Sequence, residues 1–167
     1  MREVTEINNI IEELLKFAHY SSLSRRDIDL INTIKEVIKT HPWAERIDFN
    51  NQDPIIMSAD GQLLKQAIRN LINNAFEAGA SRVDIKIDRV FSGLTEWVNI
   101  KVSDNGKGLT EQEMQKVFQP FYSTKATGVG MGLPLVQKIA LEHGGTVKLE
   151  SRLGQGSTFT LSLPTKV

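Results

Sequence analysis

The chain of 167 residues contains no cysteine. Disulfide bonds, thiolate nucleophiles and cysteine-ligated zinc sites all require that side chain and are therefore excluded. The absence of cysteine is compatible with a reducing compartment, and we expect a cytoplasmic location.

An excess of charge of either sign is also missing, because Lys plus Arg and Asp plus Glu number 20 each. A neutral total provides no general attraction to nucleic acid or to an anionic membrane. No apolar run approaches the roughly 18 residues that suggest a membrane span. The acidic N-terminus lacks the apolar segment of a signal peptide. We expect no nucleic-acid partner and no membrane contact, and any bound anion must be held by local geometry.

The residues that are present, 40% hydrophobic and 24% charged, are typical of a globular domain. Apolar spacing predicts a helix over residues 3–18, and the polar stretch 19–28 indicates a linker before a domain over 29–167. In that domain helices are predicted at about 30–40, 61–78 and 133–143, with a short one after Thr110. Strands are predicted near 47–49, 55–57, 83–87, 98–102, 146–151 and 157–163. This order predicts an α+β fold with helices on one face of a mixed sheet.

The long predicted helix carries Asn70 and Asn74, which are four residues apart and therefore share a face. Their amide oxygens suit a hard cation such as Mg²⁺, which keeps oxygen ligands, water and phosphate in its shell. Taken alone, the pair is more typical of an ordinary exposed polar face than of a metal site.

A second segment, Asp104-Asn-Gly106-Lys-Gly108, follows a predicted strand directly. A carboxylate accepts hydrogen bonds and cannot donate them, so Asp104 suits an amino group such as that of adenine. The two glycines let the backbone turn sharply. Asp-Asn-Gly is also ordinary turn chemistry.

A third segment, 128–133, places glycine at every second position before a helix, and Phe118 to Lys125 precede it. Glycines allow backbone N–H groups to approach phosphate oxygens, and a helix N-terminus adds partial positive charge. The spacing fits neither a Rossmann fingerprint nor a P-loop. The aromatic residues are expected to hold the base of a mobile loop on the core. Lys125 can reach a terminal phosphate, or is a solvated lysine.

In this order, the segments resemble the catalytic, ATP-binding domain of bacterial sensor histidine kinases, within the ATPase superfamily that includes gyrase and Hsp90. The matching boxes are NLINNAFEA, DNGKG, FQPFYSTK and GVGMGL, and GQGSTFTLSLP resembles the family's closing strand. The resemblance covers about residues 29–164 and is greatest for the nitrogen-regulation and sporulation kinases. It implies the Bergerat ATP-binding fold, a two-layer sandwich with a mostly antiparallel sheet, and Mg²⁺ and ATP as cofactors.

The resemblance also implies a role for each matching residue. Asn74 would coordinate Mg²⁺ and Asn70 would support the phosphate side, while Asp104 would bind the adenine amino group. Residues 118–131 would form a lid over ATP. Gly106 and Gly108 would shape the adenine pocket, and Gly128, Gly130 and Gly132 would line the phosphates. Thr124 and Lys125 would also contact phosphate, and Leu133 and Thr158 would be further nucleotide contacts.

Residues 3–18 resemble the second helix of the family's dimerisation and phosphoacceptor hairpin. The acceptor histidine lies on the first helix in family members, and none of His19, His41 and His143 has that context. We expect His143 to serve in packing or capping at a helix end. We interpret the chain as a segment of a longer sensor, which would phosphorylate a histidine on the missing hairpin for onward transfer to a response regulator. The residual helix could also form a homodimer.

Gyrase and Hsp90 relatives carry a glutamate at the position of Asn70, where it orients water. An amide cannot act as that base, so the resemblance favours phosphoryl transfer over hydrolysis. Two alternatives stay open, a regulatory module that only holds ATP or ADP, and a serine kinase of the anti-sigma-factor type with the same fold.

Overall fold

The structure, a computed structural model, describes residues 23–124 and 129–166. The predicted N-terminal helix over 3–18 lies outside the described residues. Within them the helices are α1 (Leu30–Lys39), α2 (Gly61–Glu77), α3 (Glu111–Met114) and α4 (Gly132–Glu142). The strands are β1 (Arg26–Asp29), β2 (Ile47–Phe49), β3 (Ile56–Ala59), β4 (Val83–Ser92), β5 (Thr95–Asp104), β6 (Thr146–Arg152) and β7 (Gly156–Pro164).

Five strands form the main sheet in the order β2-β4-β5-β7-β6. Only the β2–β4 pairing is parallel, and the other three pairings are antiparallel. Inward residues lie opposite one another across the ladders, so Ile85, Val102 and Phe159 occupy neighbouring positions on the buried face. Because side chains alternate along a strand, polar residues such as Lys101 and Thr160 are directed to the other face.

Helices α1, α2 and α4 bury their apolar stripes in one continuous core with that inner face. Leu64, Ile68 and Leu71 of α2 are fully buried, as are Ile34 of α1 and Val136 of α4. Burial of each such side chain contributes about 1.5–3 kcal/mol. The predicted two-layer α+β sandwich with a mostly antiparallel sheet is therefore confirmed.

Helix starts were predictable because their caps are local. Asp29 accepts a hydrogen bond from the N–H of Ile31, and Asp60 accepts from those of Gln62 and Leu63. Thr110 and Glu113 form the predicted capping box at α3. Each cap stabilises its helix by about 1 kcal/mol.

One element differs from the sequence expectation. Arg26–Asp29, which overlaps the predicted linker 19–28, is a strand that pairs antiparallel with β3 in a separate two-stranded sheet. Its four residues lack hydrophobic alternation, and their partner lies about 30 residues away in sequence, so no local pattern indicates the pairing. Among the residues that the structure describes, no helix has the length and apolar character of a membrane span.

Candidate functional site

Helix α2 forms the floor of the candidate site. Asn70, Asn74 and Ala78 succeed one another at four-residue intervals, so they lie along one face of the helix and its C-cap. Eight residues of helix extend about 12 Å. One end of this row contacts the start of α4 and the other end contacts a loop, and Asn74 lies between the two ends.

The N-terminal end of the row contacts the start of α4. The Asn70 Nδ2 atom donates a hydrogen bond to the carbonyl oxygen of Gly132 at 3.3 Å. Gly132 is exposed, and a Cβ atom added to it would meet no other atom within 4 Å. The N-cap residue Met131 makes no side-chain hydrogen bond to the start of α4. The N–H groups of Gly132 and Leu133 therefore have no side-chain cap, which is the arrangement that suits an anion at a helix start.

The C-terminal end of the row contacts the β5–α3 loop (residues 105–110). The backbone N–H of Lys107 donates to the carbonyl oxygen of Ala78 at 3.1 Å. A Cβ atom on Gly106 would lie 2.9 Å from that same oxygen, so this loop can approach α2 closely only with glycine at this position. The structure thus brings the predicted Asn70, Asp104 and Gly132 segments around one helix.

Asp104 is the last residue of β5, and its carboxylate is half-buried. It accepts hydrogen bonds from the backbone N–H of Gly106, at 2.7 Å, and from that of Ser157. Burial raises the pKa of the Asp104 carboxyl, and the two N–H donors oppose that shift. A carboxylate has about four acceptor sites, so two remain for a ligand. This geometry fits an amino group and excludes an acceptor.

Gly108 allows the β5–α3 loop to rest on the β6–β7 hairpin. Its φ of 66° lies in the left-handed region, and an added Cβ atom would lie 2.1 Å from the carbonyl oxygen of Arg152. The left-handed φ disfavours a residue with a side chain, and the contact with Arg152 excludes one unless the backbone moves. That this glycine shapes a nucleotide pocket stays a prediction.

The two ends of the predicted lid are joined at their base. The backbone N–H of Phe121 donates to the carbonyl oxygen of Gly130 at 3.2 Å. Phe118 packs on the core and meets Phe159 edge to face, with ring centroids 6.4 Å apart, as expected of an aromatic residue at the base. The same expectation is wrong for Phe121, because this residue is 59% exposed. Its φ of 65° is unusual for a residue with a Cβ atom.

The remaining predicted contacts divide into three groups. Thr124 is exposed, and Lys125 and Gly128 lie outside the described residues. Leu133 packs partly against the core at the start of α4. The Thr158 hydroxyl lies 2.9 Å from that of Ser103, on the strand that leads to Asp104.

Sequence reasoning did not identify Ser157 as a partner of Asp104. The two residues face each other where the β5–β7 ladder ends, because Ser103 pairs with Thr158 one position earlier. The contact between Ser157 and Asp104 follows from the strand register, and the register depends on which strands are neighbours in the sheet.

Two histidines have structural partners. The buried His143 donates from Nδ1 to the carbonyl oxygen of Ile139 at 2.8 Å and accepts at Nε2 from the N–H of Asp60 at 3.0 Å. Burial lowers the pKa of His143, so the neutral ring is favoured. His41, also buried, bonds the Asn73 side chain through Nε2 at 2.9 Å. The expectation of a packing and capping role for His143 agrees with these contacts.

Comparison with known proteins gives a consistent answer. Residues 59–167 match the family described as "Histidine kinase-, DNA gyrase B-, and HSP90-like ATPase". The chain is 34% identical to the signal transduction histidine-protein kinase AtoS of Escherichia coli K12 over 98% of its length, and 30% identical to sporulation kinase C of Bacillus subtilis 168 over 98%. It spans 28% and 40% of those two proteins. It also resembles the solved catalytic domain of the histidine kinase ThkA, with 30% identity, a TM-score of 0.69, and coverage of 86% of this chain and 97% of that one.

Proposed function

Because the chain belongs to the family of histidine kinase-, DNA gyrase B- and HSP90-like ATPases, we propose that it binds Mg-ATP and donates the γ-phosphate to a histidine of a sensor kinase. ATP binding is the family's common property. The magnesium ion, the histidine acceptor and the transfer of phosphate from ATP to that histidine belong to the proposal.

One observation carries the proposal, the row of Asn70, Asn74 and Ala78 along α2. Asn70 touches the open start of α4, and Ala78 touches the loop that follows Asp104. A nucleotide lying along this row would have its base near Asp104 and its phosphates near Gly132. The donor types at the two ends fit, since the carboxylate accepts from an amino group and the helix N-terminus favours phosphate.

The residues present also fit a magnesium ion. Asn74 lies between the base end and the phosphate end, and its amide oxygen is a hard ligand. Bound Mg²⁺ would neutralise phosphate charge in the transition state. Asn70 keeps its amide nitrogen on Gly132 and so supports the start of α4.

Transfer is favoured over hydrolysis by the chemistry at Asn70. Hydrolysis needs a group that orients and deprotonates water, and an amide side chain cannot accept that proton. Phosphoryl transfer otherwise depends on positioning and charge neutralisation, which the chain supplies without further covalent chemistry. The nucleophile would come from the acceptor histidine.

The rest of the reaction lies beyond the ATP-binding domain. The chain spans about a third of the length of the relatives it matches, so the acceptor hairpin and the response regulator are proposed partners. We also propose that residues 1–18 are the second hairpin helix, able to pair with a second copy, and that 19–28 connect it to the domain. A cytoplasmic location fits these partners.

Transfer can be measured by mixing the chain with a separately expressed hairpin helix pair of a relative and γ-labelled ATP. We expect label on the pair that is lost in acid and kept in base, as for phosphohistidine. Replacing the acceptor histidine of the pair by alanine should abolish it. Acid-stable label on serine would instead indicate a serine kinase, and tight nucleotide binding with no transfer a regulatory module. Asn74→Ala should weaken this transfer, and the exposed Asn32→Ala variant on α1 is its matched control.

A further inference from the structure

The Ser151 hydroxyl at the end of β6 makes three hydrogen bonds, which is its full capacity. It donates to the carbonyl oxygen of Gly156 at 2.9 Å and accepts from the backbone N–H of Leu109 at 2.9 Å. It also lies 2.9 Å from the Ser157 hydroxyl. Because the one Ser151 proton is directed to Gly156, Ser157 is the donor in that third bond. One side chain thus joins the β5–α3 loop to both strands of the β6–β7 hairpin.

The loop and the hairpin are in contact at two further points. The N–H of Gly154 donates to the carbonyl oxygen of Lys107 at 2.7 Å. Gly108 approaches Arg152 so closely that a side chain would collide there. Both of these contacts involve only backbone, whereas Ser151 supplies the side-chain bond between the two segments.

Ser157 connects this junction to the carboxylate of Asp104. Its side chain is held by Ser151, and its backbone N–H donates to Asp104. The other donor to that carboxylate, Gly106, belongs to the loop whose Leu109 end is held by Ser151. Both donors that orient the carboxylate are therefore fixed, directly or through the loop, by the same hydroxyl group.

We propose that Ser151 is a positioning residue that sets the selectivity of the site for adenine over guanine. The inference rests on the proposed nucleotide-binding function and on Asp104 as the contact of the base. Adenine presents an amino donor at the ring position where guanine presents an oxygen acceptor. A carboxylate that can only accept hydrogen bonds binds the amino group of adenine and repels the oxygen of guanine, provided that it is held at the correct position.

Removal of the Ser151 hydroxyl should allow the Asp104 carboxylate to move from its position. In Ser151→Ala the N–H of Leu109 and the hydroxyl of Ser157 both lose their acceptor. The loop can then shift and admit water beside the carboxylate. We expect the ratio of ADP to GDP affinity to fall about tenfold, the size of one net hydrogen bond. Contacts to the phosphates should be retained, so GDP affinity should change little.

The test compares ADP and GDP binding by calorimetry, with Mg²⁺, in the unmodified chain and three variants. Ser151→Ala should lose selectivity. Ser151→Thr keeps the hydroxyl on a residue that strands favour, and should preserve it. Ser162→Ala, at the opposite end of β7 and paired with Thr146, is the matched control and should bind as the unmodified chain does. Thermal unfolding of each variant separates selectivity from stability.

Three outcomes would overturn the inference. Ser151→Ala retains the original ratio, or it weakens ADP and GDP equally, or Ser151→Thr loses selectivity to the same extent as Ser151→Ala. A different result tests the proposed function itself. If the unmodified chain binds neither nucleotide, or binds both equally well, the nucleotide site or the Asp104 contact is wrong, whatever the Ser151 variants do.

Discussion

Replacing Asp104 by asparagine changes one acceptor oxygen at the end of β5 into an amide donor. The carboxylate already receives two backbone N–H groups, those of Gly106 and Ser157. In the proposed complex the adenine amino group would be a third donor. Asparagine offers one oxygen, so one of the three donors must face the NH₂ group. An unpaired buried donor costs about 1–3 kcal/mol.

A cost of about 2 kcal/mol corresponds to about 30-fold weaker binding of Mg-ADP, measured by calorimetry at pH 7.5. The matched control is Asp88→Asn, an exposed carboxylate on β4 that pairs with Lys101. It should bind ADP as the unmodified chain does. Unchanged affinity in Asp104→Asn, or an equal loss in the control, would refute the adenine contact.

The same substitution should not reduce stability. The pKa of Asp104 is raised in the folded protein, chiefly by burial, so folding favours the protonated form. The unfolding free energy therefore falls as the pH rises from the pKa of the unfolded chain, about 3.9, through the raised pKa of the folded protein. It stays lower at any pH above the folded pKa. Asparagine carries no charge and removes this cost. We expect an unchanged or higher melting temperature at pH 7.5, and a clear decrease would mean that lost binding reflects misfolding.

Three further predictions address the metal, a buried histidine and a glycine. Asn74→Ala should weaken ADP binding in Mg²⁺ and leave binding in EDTA unchanged, and equal losses in both would remove the metal assignment. The pKa of His143 is lowered in the folded protein, mainly by burial. The contribution of the neutral ring to folding stability is therefore complete above the pKa of the unfolded chain, about 6.5, and is lost as the pH falls through the folded pKa. Urea unfolding between pH 5 and 7.5 should therefore depend less on pH in His143→Ala, and identical dependence would contradict this. Gly108→Ala should lower the unfolding free energy by more than about 2 kcal/mol, because the new Cβ would collide with Arg152. Gly154 has a φ of 77° and no atom within 4 Å of a new Cβ, so Gly154→Ala should cost only about 1 kcal/mol. Equal costs would show that the contact with Arg152 is unimportant.

The elements predicted correctly are those determined by nearby residues. Asp29 and Asp60 cap the helices that follow them, and Gly79 ends α2 with a φ of 83°. The β4–β5 hairpin forms around Gly93, where the chain adopts a positive φ. Each signal needs only a few consecutive residues, so it can be read without knowledge of the fold.

The features that were not predicted depend on distant pairings. Strand β1 has no hydrophobic alternation and is defined by its pairing with β3. The bond between Asn70 and Gly132 joins residues 62 positions apart. The three bonds of Ser151 require the register of the β6–β7 hairpin and the position of the β5–α3 loop. The ordered motifs indicated which residues belong to the site, whereas the contacts that orient them appear only in three dimensions.

The row along α2 makes the spacing between the two ends of the site a property of helix pitch. A single residue inserted between Asn70 and Ala78 would rotate one end by about 100° relative to the other. No side-chain substitution can compensate for such a rotation. Insertions within the β4–β5 hairpin tip, near Gly93, face no such constraint because this turn is exposed. Homologous chains that keep this site should therefore vary in hairpin length while preserving the eight-residue interval from Asn70 to Ala78 without gaps, and an alignment of active relatives would reveal whether they do.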